Sequence, residues 1–297
     1  MTEAELVGPT SRFYVSQRLR LHYVDWGNAD RPTLVLVHGG RDHARSWDDV
    51  ARVLRRDHHV VAPDLRGHGD SAWAIGGMYA LVDYVLDLAQ LLDALGPEPV
   101  ILVGHSLGGA VVLQYTGLFP ERVRKAVAIE GLGPSPALVE KIQATPAAER
   151  MTTWIEAMRR FAARHPRRYP SLADAVARMR EENPFLSERQ ARHLTEHGVT
   201  RNEDGTFSWK FDNYVRSGSP YGFNARDAYG IWGRIRCPVL LVRGTESWAS
   251  DPVADGRIAH VPNARLVNVD GAAHWVHHDR LEAFLDALAG FLAEPAG

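Results

Sequence analysis

The stretch Val100-Ile101-Leu102-Val103-Gly104-His105-Ser106-Leu107-Gly108-Gly109 decides the fold. Its four leading apolar residues do not alternate with polar ones, so they read as a short strand buried on both faces. The run breaks into Gly104-His105-Ser106-Leu107-Gly108, and the following AVVLQYTGLF reads as a helix. A serine flanked this way at a strand-to-helix bend is a G-x-S-x-G nucleophile elbow. Any tight turn attracts glycine and serine, and it is the buried strand before and the helix after that give the pattern meaning. The bend strains the backbone of Ser106, and side chains at positions 104 and 108 would collide with neighbouring elements. The hydroxyl is thereby held out as a nucleophile. No G-x-G-x-x-G is present, so this is not a dinucleotide loop.

Working outward, similar apolar runs recur at Thr33 to Val37, His59 to Ala62, Lys125 to Ile129, Pro238 to Val242 and Ala264 to Val269. Arg12 to Asp25 alternates as two short strand-like pieces. Between Tyr79 and Leu95, Leu81, Val85, Leu88, Leu92 and Leu95 recur at helical steps, with Asp83, Asp87 and Asp93 off that stripe. Gly96-Pro97 closes the helix. Alternating strands and helices predict an α/β protein with a mostly parallel sheet flanked by helices. The alternation fails from about Gly133 to Tyr229, which predicts an inserted, mainly helical lid. Residues 1–132 and 230–297 then form one core, and 133–229 the lid. Met151, Trp154, Ile155, Met158 and Phe161 make an amphipathic stripe in the lid, and Asp204-Gly205 marks a hairpin turn.

The 297 residues, 45% hydrophobic and 24% charged, suit one large core with an insertion. A formal net charge of −2 gives no footprint for nucleic acid and suits a small neutral substrate. The lone Cys237 cannot form an internal disulfide, which favours a reducing compartment. The first thirty residues lack the pattern of a secretory signal, and no run of apolar residues is long enough to span a membrane. These features predict a cytoplasmic protein acting on a small molecule, with no membrane or nucleic-acid partner and no set oligomeric state.

Serine is a poor nucleophile at neutral pH and needs a base beyond a neighbouring strand. Of the 14 histidines, His274 fits best: it follows the last strand-like run in Asp270-Gly271-Ala272-Ala273-His274-Trp275 and completes the chain order Ser, acid, His. His277 and His278 read as packing or surface residues. Attack on a carbonyl also puts negative charge on oxygen, which backbone N–H groups must meet. His38-Gly39-Gly40 follows a buried strand, so the N–H groups of Gly40 and Leu107 are the candidate oxyanion hole.

His38-Gly39-Gly40, Pro63-Asp64-Leu65-Arg66-Gly67-His68-Gly69-Asp70-Ser71 and the elbow, each after a strand, together resemble the α/β-hydrolase superfamily. The likeness covers residues 20 to 131 and 235 to 293 and implies the α/β-hydrolase fold, with Asp64 and Arg66 tying down their loop. Most members carry the triad acid after the seventh strand as Gly-x-x-Asp. Here that stretch is Gly244-Thr245-Glu246-Ser247, with serine at the aspartate position. A subset, including some haloalkane dehalogenases, carries the acid after the sixth strand, which matches Glu130. One helix and one strand past Ser106, Glu130 is the first choice, Glu246 the second and Asp251 the third. Dehalogenases and epoxide hydrolases have aspartate at the elbow, so serine here implies acyl transfer to water.

The sequence therefore predicts a serine hydrolase, most simply a carboxylesterase, that needs no cofactor. A lactonase, a carbon–carbon bond hydrolase and a small-ligand receptor of the same fold are alternatives. Lid aromatics Trp154, Phe161, Trp209, Phe211, Tyr214, Tyr221 and Phe223 are candidate walls of an apolar pocket. Arg159, Arg160, Arg167 and Arg168 read as a solvated face rather than a carboxylate clamp. The His58-His59 and His277-His278 pairs lack metal-ligand spacing.

Overall fold

The computed structural model of the chain describes residues 8–76 and 79–295. Residues 1–7, part of the stretch read for a signal, and the last two residues of the C-terminal core segment lie outside them. The strands are β1 (Thr10–Ser16), β2 (Leu19–Asp25), β3 (Thr33–Val37), β4 (His59–Pro63), β5 (Val100–His105), β6 (Val123–Ile129), β7 (Val199–Arg201), β8 (Phe207–Trp209), β9 (Val239–Gly244) and β10 (Ala264–Val269). The helices are α1 (Asp48–Leu54), α2 (Leu81–Leu95), α3 (Leu107–Leu118), α4 (Pro136–Ala144), α5 (Ala147–Ala162), α6 (Leu172–Glu182), α7 (Glu188–Gly198), α8 (Ala225–Trp232), α9 (Val276–Asp279) and α10 (Leu281–Ala293).

Eight strands form one sheet in the order β1-β2-β4-β3-β5-β6-β9-β10. Strands β1 and β2 run antiparallel, and all pairings from β4 through β3 to β10 are parallel. The non-alternating runs follow from this: β4 and β5 are buried along their whole length because apolar layers cover both faces. One layer joins α2, α3 and α8 through Leu88, Leu113 and Trp232, and the other joins α1 and α10 through Val50, Phe284 and Leu288. Parallel pairing brings the ends of β3, β5, β6, β9 and β10 to one edge, where ligands bind in open α/β sheets.

Between β6 and β9 lie α4 to α8 and a small β7–β8 hairpin, closed where Gly205 takes a φ of 84°. Two expectations fail in detail. The α5 stripe is not buried: no residue of that helix is, and Met151 and Ile155 are exposed. Asp87, expected off the buried stripe of α2, is 1% exposed. Arg66 donates to both its oxygens at 2.6 Å, a bidentate pair that compensates the buried charges. Among the described residues no helix is long and apolar enough to cross a membrane.

Candidate active site

The elbow is built by close backbone approach. Ser106 sits between β5 and α3 with φ 50° and ψ −113°, a sparsely populated region for a side chain. Its N–H donates to the Ile129 carbonyl at 2.8 Å, and its carbonyl accepts from Ala110 N–H at 3.1 Å. A Cβ at position 104 would overlap the Gly108 carbonyl, and one at position 108 would overlap the Val37 carbonyl at the end of β3. Glycine is therefore required at both, as the sequence indicated.

Ser106 lines a cavity of about 770 Å³ with Gly40, Leu107, Glu246 and His274. Leu107 is the first residue of α3, whose leading N–H groups have no intrahelical partners and point towards incoming negative charge. Gly40 is held in place through His38. The His38 Nε2 accepts from Leu65 N–H at 2.9 Å, so its Nδ1–H donates to the Gly39 carbonyl at 2.6 Å. Burial lowers the His38 pKa to about 3, which keeps this clamp neutral and its tautomer fixed. Asp64 closes the adjoining loop by accepting from His22 Nδ1 at 2.7 Å, Ala44 N–H at 2.6 Å and Asp70 N–H at 2.9 Å.

Of the three candidate acids, Glu130 alone among the described residues comes within ion-pair distance of His274: Oε2 lies 3.7 Å from Nδ1. The Glu130 side chain is 1% exposed and its Oε1 accepts from Gly244 N–H at 2.8 Å. Its backbone also takes a positive φ, 53°, as the chain leaves β6. Glu246 lines the cavity but has no ion pair with His274, and Asp251 accepts from Val253 and Ala254 N–H within its own turn. The geometry thus groups Ser106, His274 and Glu130 at one sheet edge, from three separate strand ends.

The loop carrying His274 is held from beneath. His105 Nε2 donates to the His274 carbonyl at 2.9 Å, and burial, followed by the nearness of His274, holds the His105 pKa well below its ordinary value. Asp279 accepts from Ala273 N–H at 2.9 Å, and burial raises its carboxyl to a pKa of about 6. The exposed Trp248 ring lies 4.7 Å from that of His274 on the solvent side. His277 and His278 are buried packing residues, and Trp47 stacks on His277 at 4.3 Å.

The sequence did not anticipate the roles of His105, which acts through the backbone of a distant segment, and of Asp279, which depends on how its own loop folds back on Ala273. Metal-type ligand atoms converge within 4.8 Å at Asp42, His105 and His277, all buried, again joining three separate segments. Similar groupings at Asp48, His193 and His197, and at His22, Asp64 and Asp70, are threaded by the ion pairs Arg45–Asp48, His193–Asp48 and His22–Asp64.

Comparison with known proteins agrees with this architecture. The esterase Rv0045c of Mycobacterium tuberculosis is 26% identical over 298 residues, covering 98% of this chain and 92% of that protein. The esterase YbfF of Escherichia coli is 26% identical over 267 residues, covering 87% of this chain and 92% of that protein. The solved structure of the hypothetical protein PA1622 from Pseudomonas aeruginosa PAO1 superimposes with a TM-score of 0.83 at 26% identity, over 96% of this chain and 99% of that one. Residues 32–281 match the alpha/beta hydrolase fold family, and the chain belongs to that family.

Proposed function

We propose that the protein is a serine hydrolase that cleaves small carboxylic esters through an acyl-enzyme. One observation carries this reading: the strained Ser106 shares a cavity with His274, whose Nδ1 faces the buried carboxylate of Glu130 at 3.7 Å. The esterase relatives support the same reaction class.

In the reaction, Ser106 Oγ attacks the ester carbonyl as His274 Nε2 takes the hydroxyl proton. The carbonyl oxygen becomes an alkoxide that the Gly40 and Leu107 N–H groups stabilise. His274 then gives its proton to the departing alcohol, leaving Ser106 acylated. Water, deprotonated by His274, attacks the acyl carbon, and the carboxylic acid leaves as Ser106 regains its proton. Glu130 takes no proton: it fixes the Nδ1–H tautomer and stabilises the imidazolium. The 3.7 Å gap shortens to a hydrogen bond when the ring charges, as catalytic contacts commonly do once substrate is bound.

The test is turnover of short p-nitrophenyl esters combined with fluorophosphonate labelling. The wild type hydrolyses the ester and is labelled on Ser106, and Ser106→Ala loses both. An unlabelled wild type, or a Ser106→Ala variant that keeps full turnover, overturns the reading. Labelling with tight ester binding and negligible turnover identifies a small-ligand receptor instead.

A further inference from the structure

A second cavity of about 650 Å³ adjoins the one beside Ser106. Both are lined by Gly40, Arg41, Glu182, Asn183 and Trp275, so the two cavities meet along those residues, and Arg178, Met179 and Glu182 of α6 line the outer one. Five guanidinium groups, Arg41, Arg164, Arg167, Arg178 and Arg216, line the outer part against a single carboxylate, Glu182. That carboxylate is already engaged by Arg178, which also pairs with Glu181 at 2.7 Å. Among the described residues, Arg41, Arg164, Arg167 and Arg216 have no carboxylate within ion-pair distance, although they come from separate parts of the chain.

Two of these side chains are oriented by aromatic rings. Arg167 lies over the Tyr169 ring at 5.1 Å and Arg216 over the Phe211 ring at 5.2 Å. An aromatic face orients a guanidinium plane and leaves its N–H edge free, the arrangement that grips a carboxylate or phosphate with two parallel hydrogen bonds. Arg41, directly after the oxyanion-loop glycines, adopts φ 64°, a left-handed conformation unfavourable for a residue with a side chain. Partial desolvation, then repulsion from Arg41, lowers the pKa of the solvent-exposed Arg216, with Glu182 opposing the shift and Arg164 adding to it. These guanidinium groups are exposed to solvent, and an anion filling the cleft would relieve the repulsion among them.

We propose that this arginine cleft binds an anionic group of the substrate, carboxylate or phosphate, at the end remote from the ester bond. The preferred substrates are then negatively charged esters. The proposal rests on the serine-hydrolase reading, and it revises two expectations drawn from the sequence. The net charge of −2 conceals a concentrated positive site, so a neutral substrate no longer follows from it. Arg167 faces the cleft, whereas Arg160 pairs with Glu156 and Arg168 with Asp204 away from it.

The experiment compares mono-p-nitrophenyl esters of succinate, glutarate, adipate and suberate with neutral p-nitrophenyl esters of equal acyl length. 4-Acetoxybenzoate and 4-acetoxyphenyl phosphate are compared with phenyl acetate, which places the charge on the leaving group and separates carboxylate from phosphate. At least one charged series is favoured in kcat/KM by about tenfold, the scale of a charge-assisted hydrogen bond. That ratio falls several-fold in Arg216→Gln and Arg41→Gln and in raised salt, which screens exposed charge. It is unchanged in Arg160→Gln. Calorimetric binding of adipate, 4-hydroxybenzoate and phenyl phosphate reads the cleft without turnover, so an inactive Ser106 chemistry leaves this arm intact. Neutral esters preferred in every series, or anion binding indifferent to Arg216→Gln, overturns the arginine cleft while leaving the serine hydrolase standing. Absence of all ester turnover with arginine-dependent anion binding does the reverse.

Discussion

Replacing Glu130 by glutamine removes a charge and little else. Glutamine keeps the side-chain shape, and its Oε1 can still accept the Gly244 N–H that now bonds Glu130 at 2.8 Å. The loss is the carboxylate facing His274 Nδ1 at 3.7 Å. At that separation, with an effective dielectric of about 20 for a partly buried pair, the attraction to a charged imidazole is about 4 kcal/mol. The attraction acts mainly after Ser106 has given up its proton, so it stabilises the transition state and its loss lowers kcat roughly a thousandfold. The measurement is kcat on a short p-nitrophenyl ester at pH 7.5, with a thermal melt confirming an intact fold. Glu246→Gln and Asp251→Asn are the matched controls and stay within about tenfold of wild type, since neither side chain forms an ion pair with His274 among the described residues. A Glu130→Gln enzyme within tenfold of wild type, beside a collapsed Glu246→Gln enzyme, refutes the reasoning and moves the acid beyond β9.

Two other predictions bear on stability. Gly108→Ala puts a Cβ into the Val37 carbonyl, and two backbone segments cannot yield as a side chain would, so melting falls by the equivalent of about 3 kcal/mol or the chain fails to accumulate. A variant that melts like wild type contradicts that packing. Burial raises the Asp279 carboxyl from 3.8 to about 6, so the folded chain holds this proton more tightly than the unfolded one. The group's contribution to stability is therefore full below about pH 3.8 and declines as pH rises through 6. Asp279→Asn can still accept the Ala273 N–H without the charge, so it melts with wild type at pH 4 and above it at pH 7.5. The same difference at both pH values would show that Asp279 is not strained by its charge.

The parts of this molecule legible in its sequence are those that local chain geometry imposes. Ser106 needs Gly104 and Gly108 on either side because backbone carbonyls occupy the space of their side chains. Helix α2 begins at Leu81, close to where the leucine steps pointed, and stops where Gly96 takes φ 123°. His274 could be proposed because it follows a run already read as a buried strand, and Glu130 because it follows another at the place where the superfamily resemblance puts the acid of a subset of members. Pairwise compensation left no such trace. Asp87 looked external because a periodicity reading assigns charge to water, yet Arg66 neutralises it inside the protein.

The arginine cleft is the extreme case of what local patterns omit. Residues 41, 164, 167 and 216 carry no shared motif, and counted along the chain their charges disappear into a net of −2. Only after the segment between β6 and β9 folds over the sheet edge do they face one another, and their mutual repulsion then becomes a property of the site. On the proposed reading, the core fixes the reaction class through Ser106 and the segment between β6 and β9 sets which esters reach it. Exchanging that segment for one without arginines, with β5, β6 and β10 untouched, should preserve fluorophosphonate labelling of Ser106 and abolish the preference for charged esters. A loss of labelling instead would mean that the insertion builds the nucleophile's surroundings as well as the substrate's.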